Sequence, residues 1–321
     1  MRAVVCHGRG GPEVLAWEEV PDPRPEPGQL LLQVAATSVN RADLLQRRGL
    51  YPPPPGASPI LGLEAAGRVV AAAGGFAAGQ EVMALLSGGG YAERAVADAG
   101  CVLPVPPAVG LPAAGGLMEV FLTAWLNLRL LGGLRAGERV LIHGGAGGVG
   151  TAAIQVARAL GAEVWVTAGS PQRLERCAEL GASGLIDHRQ EDFVARLRAA
   201  GGADLILDLM GAAYLARNLE ALAPDGRLVV IGLQGGVEGT LPLGLLLQRR
   251  LRVIGSTLRA LPVERKADLV ASFAAEALPL FAAGALRVVV DRVLPVADPA
   301  AAHRALEAAP GPVGKVILSV P

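Results

Sequence analysis

The chain has 321 residues, 52% of them hydrophobic, enough to bury one large core or two moderate ones. Lys and Arg total 29 against 29 for Asp and Glu, so composition gives no electrostatic ground for nucleic acid or an anionic membrane as a partner. The three cysteines have no CxxC spacing, which argues against a disulfide framework or a structural zinc and favours a reducing, cytoplasmic setting.

The opening "MRAVVCHGRGG" is broken by His7 and does not read as a signal peptide. Up to residue 116, short β-type runs such as "RAVVCH", "QLLLQVAATSV" and "QEVMAL" alternate with Gly/Pro punctuation, which predicts an all-β or barrel-like unit. One helical insert, "RADLLQRRG", interrupts it, and the Pro-rich pieces read as surface loops.

The rhythm changes at residue 117. A long apolar helix, "GLMEVFLTAWLNLRLL", precedes regular alternation of strand and helix from "RVLIHG" to "GRLVVIG". Short apolar strands separated by helices of ten or more residues predict a parallel sheet covered on both faces. From residue 263 the chain returns to helix plus strands, and the simplest reading is that it rejoins the first domain. The expected fold class is therefore α/β, with a discontinuous domain of residues 1–116 and 263–321 and a doubly wound domain of residues 117–262. The apolar "DLVASFAAEALPLFAAGALRVVV" holds Glu276 and Pro279 in its middle and reads as a buried helix and strand, not a membrane span.

Gly145, Gly147 and Gly150 have G-x-G-x-x-G spacing directly after one strand and directly before a helix. That context reads as a dinucleotide cradle. The first glycine permits the turn, the second admits the pyrophosphate, and the third lets helix pack on strand. The N–H groups of the first helical residues, Gly148, Val149 and Gly150, then face the phosphates. The next strand, "EVWVTA", ends in Gly169-Ser170-Pro171-Gln172-Arg173, with no acid to hold ribose hydroxyls. A carboxylate there would repel a 2′-phosphate, whereas Ser170 and Arg173 offer a donor and a cation. The expected cofactor is NADPH; the plainer alternative makes Ser170 a helix cap and leaves Arg173 to solvent.

On "GGPEVL" (10–15), "VNRADLLQRRGLYPPPPGAS" (39–58), "LGLEAAGRV" (61–69), "LTAW" (122–125), "LIHGGAGGVGTAAIQ" (141–155) and "VGKVIL" (313–318), the whole chain resembles the zinc-independent quinone oxidoreductase branch of the medium-chain dehydrogenase/reductase superfamily. Residues 39–58 are especially similar to its tumour-suppressor-inducible subgroup. The resemblance implies a GroES-like β-barrel catalytic domain, a Rossmann domain, NADPH between them, and a homodimer joined through Rossmann edge strands. "RLRVIGST" (250–257) is the candidate edge. It also implies that zinc ligands are lost, because Asn40 and Leu63 stand where zinc-dependent relatives carry Cys and His, so no metal is expected. Without a Lewis acid, the acceptors that suit the site are quinones, whose reduction gives a delocalised anion, and then enones.

The resemblance places Asn40, Asp43 and Tyr51 at the substrate and nicotinamide end. Asn40 is either a donor to the acceptor oxygen or a helix N-cap, and Tyr51 either shapes the ring pocket or packs on prolines. Asp43 reads as structural, pairing with an Arg. Thr123 is expected at the nicotinamide, or else is bonded back to its own helix. His188 is expected near the 2′-phosphate or in an exposed loop. Gly232 and Leu233 are expected under the nicotinamide ribose, Ser256 to Arg259 closing over the cofactor, and Lys315 either reaching the 2′-phosphate or lying on the surface. The activity this implies is NADPH-dependent quinone reduction; the alternatives are 2-alkenal or enone reduction, and NADPH binding with little turnover.

Overall fold

The computed structural model describes residues 1–321. They form two compact units, residues 1–122 with 258–321 and residues 123–257. The sequence rhythm sets these boundaries at 116/117 and 262/263. The first differs because one helix, Met118–Ala124, runs through it. The second differs because Leu258 and Arg259 are buried, with Arg259 bonded to Gln46 and Ser87 of the first unit.

The first unit opens with β1 (Arg2–Cys6), β2 (Leu15–Glu19), β3 (Gln29–Val39), α1 (Arg41–Arg47), β4 (Glu64–Val69), β5 (Glu81–Leu85), β6 (Arg94–Asp98), β7 (Val102–Pro104), α2 (Leu111–Ala114) and α3 (Met118–Ala124). The second unit contains β8 (Arg139–Ile142), α4 (Gly148–Ala159), β9 (Glu163–Ala168), α5 (Pro171–Glu179), β10 (Gly184–Asp187), α6 (Phe193–Ala199) and β11 (Ala203–Asp208). It continues through α7 (Leu215–Ala221), β12 (Leu222–Val230), α8 (Leu243–Gln248) and β13 (Arg252–Gly255). The tail adds α9 (Val263–Glu276), α10 (Leu278–Ala282), β14 (Val290–Pro295), α11 (Pro299–Glu307) and β15 (Lys315–Ser319) to the first unit.

In the first unit a seven-stranded sheet runs β14-β15-β3-β4-β5-β7, with β6 also paired to β3. The tail rejoins through β15, which pairs antiparallel with β3. Alternation along β3 sends Leu30, Leu32 and Val34 into a core shared with Leu44, Leu61, Tyr91, Val316 and Leu318. The second unit is a parallel sheet in the order β10-β9-β8-β11-β12-β13. This is the doubly wound order whose direction reverses between β8 and β11, the place where such sheets bind ligands at their carboxyl ends.

The long apolar helix of residues 116–131 is not uniform. Past Ala124, residues Trp125–Leu131 are π-helical. The Asn127 side chain donates to the Thr123 carbonyl at 2.8 Å, an acceptor that regular α-helix reserves for Asn127's own N–H. The β13 edge carries exposed Val253, and exposed Leu233, Val237, Leu243 and Leu247 lie in the segments leading to it. No helix is long and apolar enough to cross a membrane.

Candidate active site

Between β8 and α4 the chain turns at Gly144, whose φ of +66° favours glycine. The sequence reading gave that task to Gly145. Instead, Gly145 is small because a Cβ there would stand 2.8 Å from Val166 Cβ of β9 and 3.2 Å from Cys177 Sγ. At Gly150 a Cβ would meet the Gly144 and Gly145 carbonyl oxygens at 2.3 and 2.5 Å, so this glycine lets the helix start close to the turn. At Gly147, the N-cap, the nearest atom is 3.4 Å away, which leaves the approach from that side open. The N–H groups of Gly148, Val149 and Gly150 occupy the first turn of a twelve-residue helix and have no intrahelical acceptor. Such a turn fits a pyrophosphate.

Beside it, β9 ends at Ala168. Ser170 caps α5, its hydroxyl accepting from the Arg173 N–H at 3.4 Å, with Pro171 opening the helix. The capping reading is thus realised, and the hydroxyl proton is still available to a ligand. A Cβ at Gly169 would stand 3.1 Å from His188 Nε2 and 3.3 Å from Arg189 Nε. His188 and Arg189 are exposed and lie over the same strand end. Sequence reading missed Arg189; its signal was a second basic side chain directly after "GLIDH". A hydroxyl, an imidazole and a guanidinium therefore gather beside the helix that carries Arg173; β9 itself ends without an acid, and the Asp187 carboxylate at the end of β10 is engaged by the Arg189 N–H at 3.0 Å.

Gly232 and Leu233 follow β12. A Cβ at Gly232 would press on the Leu209 carbonyl oxygen at 2.9 Å, and Leu233 is exposed. They lie beside the end of β11, where Asp208 accepts the N–H groups of Met210 and Gly211 at 2.8 and 2.9 Å. Because the sheet is parallel, these residues and the glycine turn share its carboxyl end.

In the first unit, Asn40, Glu64 and Lys315 form one buried network. Lys315 Nζ lies 3.0 Å from Glu64 Oε1 and donates to Asn40 Oδ1 at 2.6 Å. Asn40 Nδ2 donates to Glu64 Oε1 at 3.0 Å, Ser38 Oγ donates to the same oxygen at 2.5 Å, and the Glu119 N–H donates to Glu64 Oε2 at 3.0 Å. The amide orientation follows from chemistry, since an ammonium only donates and a carboxylate only accepts. Two expectations are corrected here. Lys315 is 2% exposed and neutralised by Glu64, so its charge is not available to a 2′-phosphate. Asn40 has both ends of its amide engaged in the network, which leaves its N-cap alternative: it precedes α1, and its N–H is held by Asp43 Oδ2 at 2.8 Å.

Asp43 is structural, though its partner is no arginine. Its carboxylate accepts from the N–H groups of Asn40 and Gly62 at 2.8 and 3.1 Å and from Tyr91 Oη at 3.2 Å. Burial raises it to about 6 despite these donors. Arg47, on the same helix, bonds the Gly10 carbonyl, His303 and Glu307.

Tyr51 lies under the Arg259 guanidinium, 5.4 Å from it. Arg259 is 4% exposed, so it points into the unit and is not a lid over a cofactor. Its Nε donates to the Ser87 carbonyl at 2.9 Å and its Nη2 to Gln46 Oε1 at 2.7 Å. Thr123 is half-buried, and the back-bonded alternative does not apply to its hydroxyl: the bond it makes to Asn127 is through its carbonyl. One helical turn earlier on α3 stands Glu119, also absent from the sequence reading. Burial, then the charge of Glu64, raises its carboxyl to about 8. At neutral pH it is a proton donor.

The donor set for a metal does not assemble. Leu63 is a core residue, and the four histidines are dispersed: His7 pairs with Glu18, His143 with Thr167 and Asn218, His303 with Arg47, and His188 lies by Gly169. No group of three His, Cys, Asp or Glu side chains converges as a ligand set.

Residues 26–107 match the alcohol dehydrogenase GroES-like domain, and residues 148–276 match the zinc-binding dehydrogenase domain. Over 320 residues, 96% of the chain, it is 37% identical to phthioceranic/hydroxyphthioceranic acid synthase of Mycobacterium tuberculosis, but spans only 15% of that protein's length. Among solved structures, an NAD-dependent alcohol dehydrogenase superposes with TM-score 0.87 at 33% identity, covering 100% of both chains. Escherichia coli quinone oxidoreductase complexed with NADPH gives 0.88 at 29%, covering 99% of this chain and 100% of that one. The CurK enoyl reductase gives 0.88 at 29%, covering 100% and 99%.

Proposed function

Because the chain belongs to the medium-chain dehydrogenase/reductase family, with its GroES-like and zinc-binding-dehydrogenase domains, we propose that it is an NADPH-dependent reductase of quinones. The observation that carries the cofactor half is the end of β9, which has no acid of its own and where Ser170, His188 and Arg189 gather beside Arg173. The E. coli quinone oxidoreductase, which matches over nearly the whole chain, is itself complexed with NADPH.

When bound, NADPH supplies a hydride from its nicotinamide ring. The N–H groups of Gly148, Val149 and Gly150 would hold its pyrophosphate, and the Ser170–Arg189 cluster its 2′-phosphate. Thr123, Gly232 and Leu233 would border the nicotinamide and its ribose. On the acceptor side, Tyr51 and Arg259 flank the conjugated ring, and Glu119 gives a proton to the oxygen that gains charge. Despite the family's name, zinc does not fit: Leu63 cannot ligate, and Asn40 is held by Lys315 and Glu64. The residues therefore suit an acceptor whose anion is delocalised. A second reading, enone reduction, is favoured by the likeness to the CurK enoyl reductase. The exposed β13 edge and its apolar neighbours support a homodimer, which sedimentation of a Val253→Lys variant tests.

The deciding assay follows NADPH absorbance with 1,2-naphthoquinone, with trans-2-hexenal, and with neither. Quinone-dependent oxidation is the expected result. Oxidation with the alkenal alone refutes the quinone reading in favour of the enone one. Tight NADPH binding without oxidation by either acceptor identifies a binding protein.

A further inference from the structure

The chain contains only two lysines, and both are buried. Lys315 has its counter-charge in Glu64. Lys266, on α9 and 5% exposed, has none in ion-pair contact: its Nζ donates to Ser87 Oγ at 2.7 Å. Burial holds this ammonium below its ordinary value, with Cys101, Glu119 and Asp98 as the surrounding acidic groups. Arg259 repeats the pattern on the other side of the same residue. It bonds the Ser87 carbonyl, forms no ion pair, and leaves its buried Nη1 without a partner. Buried charges are ordinarily paired, and an uncompensated one is strongly destabilising. Two such cations converging on one serine therefore call for an anion from outside the chain.

There is room for one. Lys266 lines a cavity of about 330 Å³ together with Ser58, Ser87, Gly88, Gly89 and Arg94. This lies at the lower end of the range for small-molecule sites. Arg94 is already paired with Asp22, and Asp98, the one carboxylate in the wall, accepts from Gln29 at 3.3 Å. The wall thus sets no carboxylate in ion-pair contact with Lys266, on which Asp98 acts only through space. Gly88 lets two segments of the wall pack closely, since a Cβ there would stand 2.4 Å from the Ser58 carbonyl oxygen. Ser87 also ties the cavity to the acceptor end, because its carbonyl holds the guanidinium that covers Tyr51.

We propose that this cavity is an anion subsite, in which Lys266 and Ser87 hold a carboxylate or phosphate on the tail of the conjugated substrate whose head lies by Tyr51. The proposal rests on the acceptor reading above and narrows it to acidic substrates. A cation of this kind with a hydroxyl beside it forms charge-assisted hydrogen bonds with such a group.

The test uses the full chain, pyridoxal 5′-phosphate and borohydride, which fixes the aldehyde on an accessible amine, with the adduct mapped by peptide mass spectrometry. Lys266 is expected to label and Lys315 to stay unlabelled. Inorganic phosphate or acetate, held on Lys266, should slow its labelling, and the stronger competitor identifies the preferred anion. No adduct on Lys266, or no protection by either anion, overturns the proposal. In turnover, a naphthoquinone sulfonate should show a lower KM than the parent naphthoquinone, and Lys266→Met should abolish that preference while kcat for the neutral quinone holds. Labelling requires no turnover, so a protein that labels as expected yet reduces no quinone keeps the subsite and loses only the quinone reading.

Discussion

Ser170→Asp tests cofactor choice at a single atom position. Aspartate caps a helix as well as serine does, so α5 and its Arg173 N–H bond survive the exchange. The change is therefore electrostatic and not structural. A carboxylate about 4 Å from a 2′-phosphate, at an effective dielectric near 20, costs about 4 kcal/mol per unit charge. Ser170 is only half-buried and His188 and Arg189 are exposed, so solvent and salt screen roughly half of that. The remaining ~2 kcal/mol corresponds to about a thirtyfold rise in KM for NADPH. NADH has no 2′-phosphate and gains an acceptor for its ribose hydroxyls, so its KM should hold or fall. Steady-state kinetics with both cofactors at fixed acceptor measure the ratio. Arg189→Ala should move NADPH alone in the same direction by a similar factor, through loss of a charge-assisted bond. Equal shifts for NADPH and NADH in both variants would show that this strand end does not meet the 2′-phosphate.

Three further outcomes are expected. Lys315→Met should destabilise the protein by about 3 kcal/mol in urea unfolding, since Glu64 stays buried with only neutral donors, and adding Glu64→Leu should recover much of the loss. Burial lowers His143 to about 4, so only the unfolded chain takes up its proton below about 6.5. The stability advantage of wild type over His143→Gln should be complete above that pH and shrink by ~1.4 kcal/mol per pH unit as pH falls from about 6.5 to about 4; a gap independent of pH contradicts the buried neutral ring. Finally, Glu119→Gln should lower kcat by about a hundredfold and remove the decline of wild-type activity as pH rises through about 8, with KM for NADPH unchanged.

The parts of this protein that read clearly in sequence are those governed by local rules. The β8–α4 turn needs small residues at fixed offsets, and the parallel sheet needs short apolar strands between helices, so both were written in spacing. The assignment of the positive φ to Gly145 failed because spacing does not distinguish a glycine required by φ from one required by a neighbouring strand; Gly144 does the first and Gly145 the second. Lys315 was misplaced for a related reason. A lone lysine in "VGKVIL" reads as a surface residue, and only the antiparallel pairing of β15 with β3 brings it to Asn40 and Glu64, 275 residues apart in the case of Asn40. Glu119 and Lys266 were invisible in the same way, and Arg259 was read as a lid over the cofactor, since each acquires its chemistry from its surroundings in the fold and not from its sequence neighbours.

These long-range contacts also explain how a family scaffold works without ligands for a metal. Glu64 Oε2 accepts the N–H of Glu119, so the buried pair with Lys315 fixes the entry of α3. That helix then sets Glu119 and Thr123 one turn apart, on the same face. Asn40 joins the same pair to the start of α1, which carries Asp43, and the carboxylate of Asp43 holds the Gly62 N–H just before β4. A metal ion would have tied these segments together through three side chains and polarised the acceptor as well. Here an ammonium–carboxylate pair ties them, and in the proposed reaction polarisation would fall to separate groups, the Arg259 guanidinium and the Glu119 proton. Splitting the two tasks means that damage to the tie should appear first in stability, and damage to Glu119 in kcat and its pH profile, so the Lys315 and Glu119 variants should separate cleanly on those two axes.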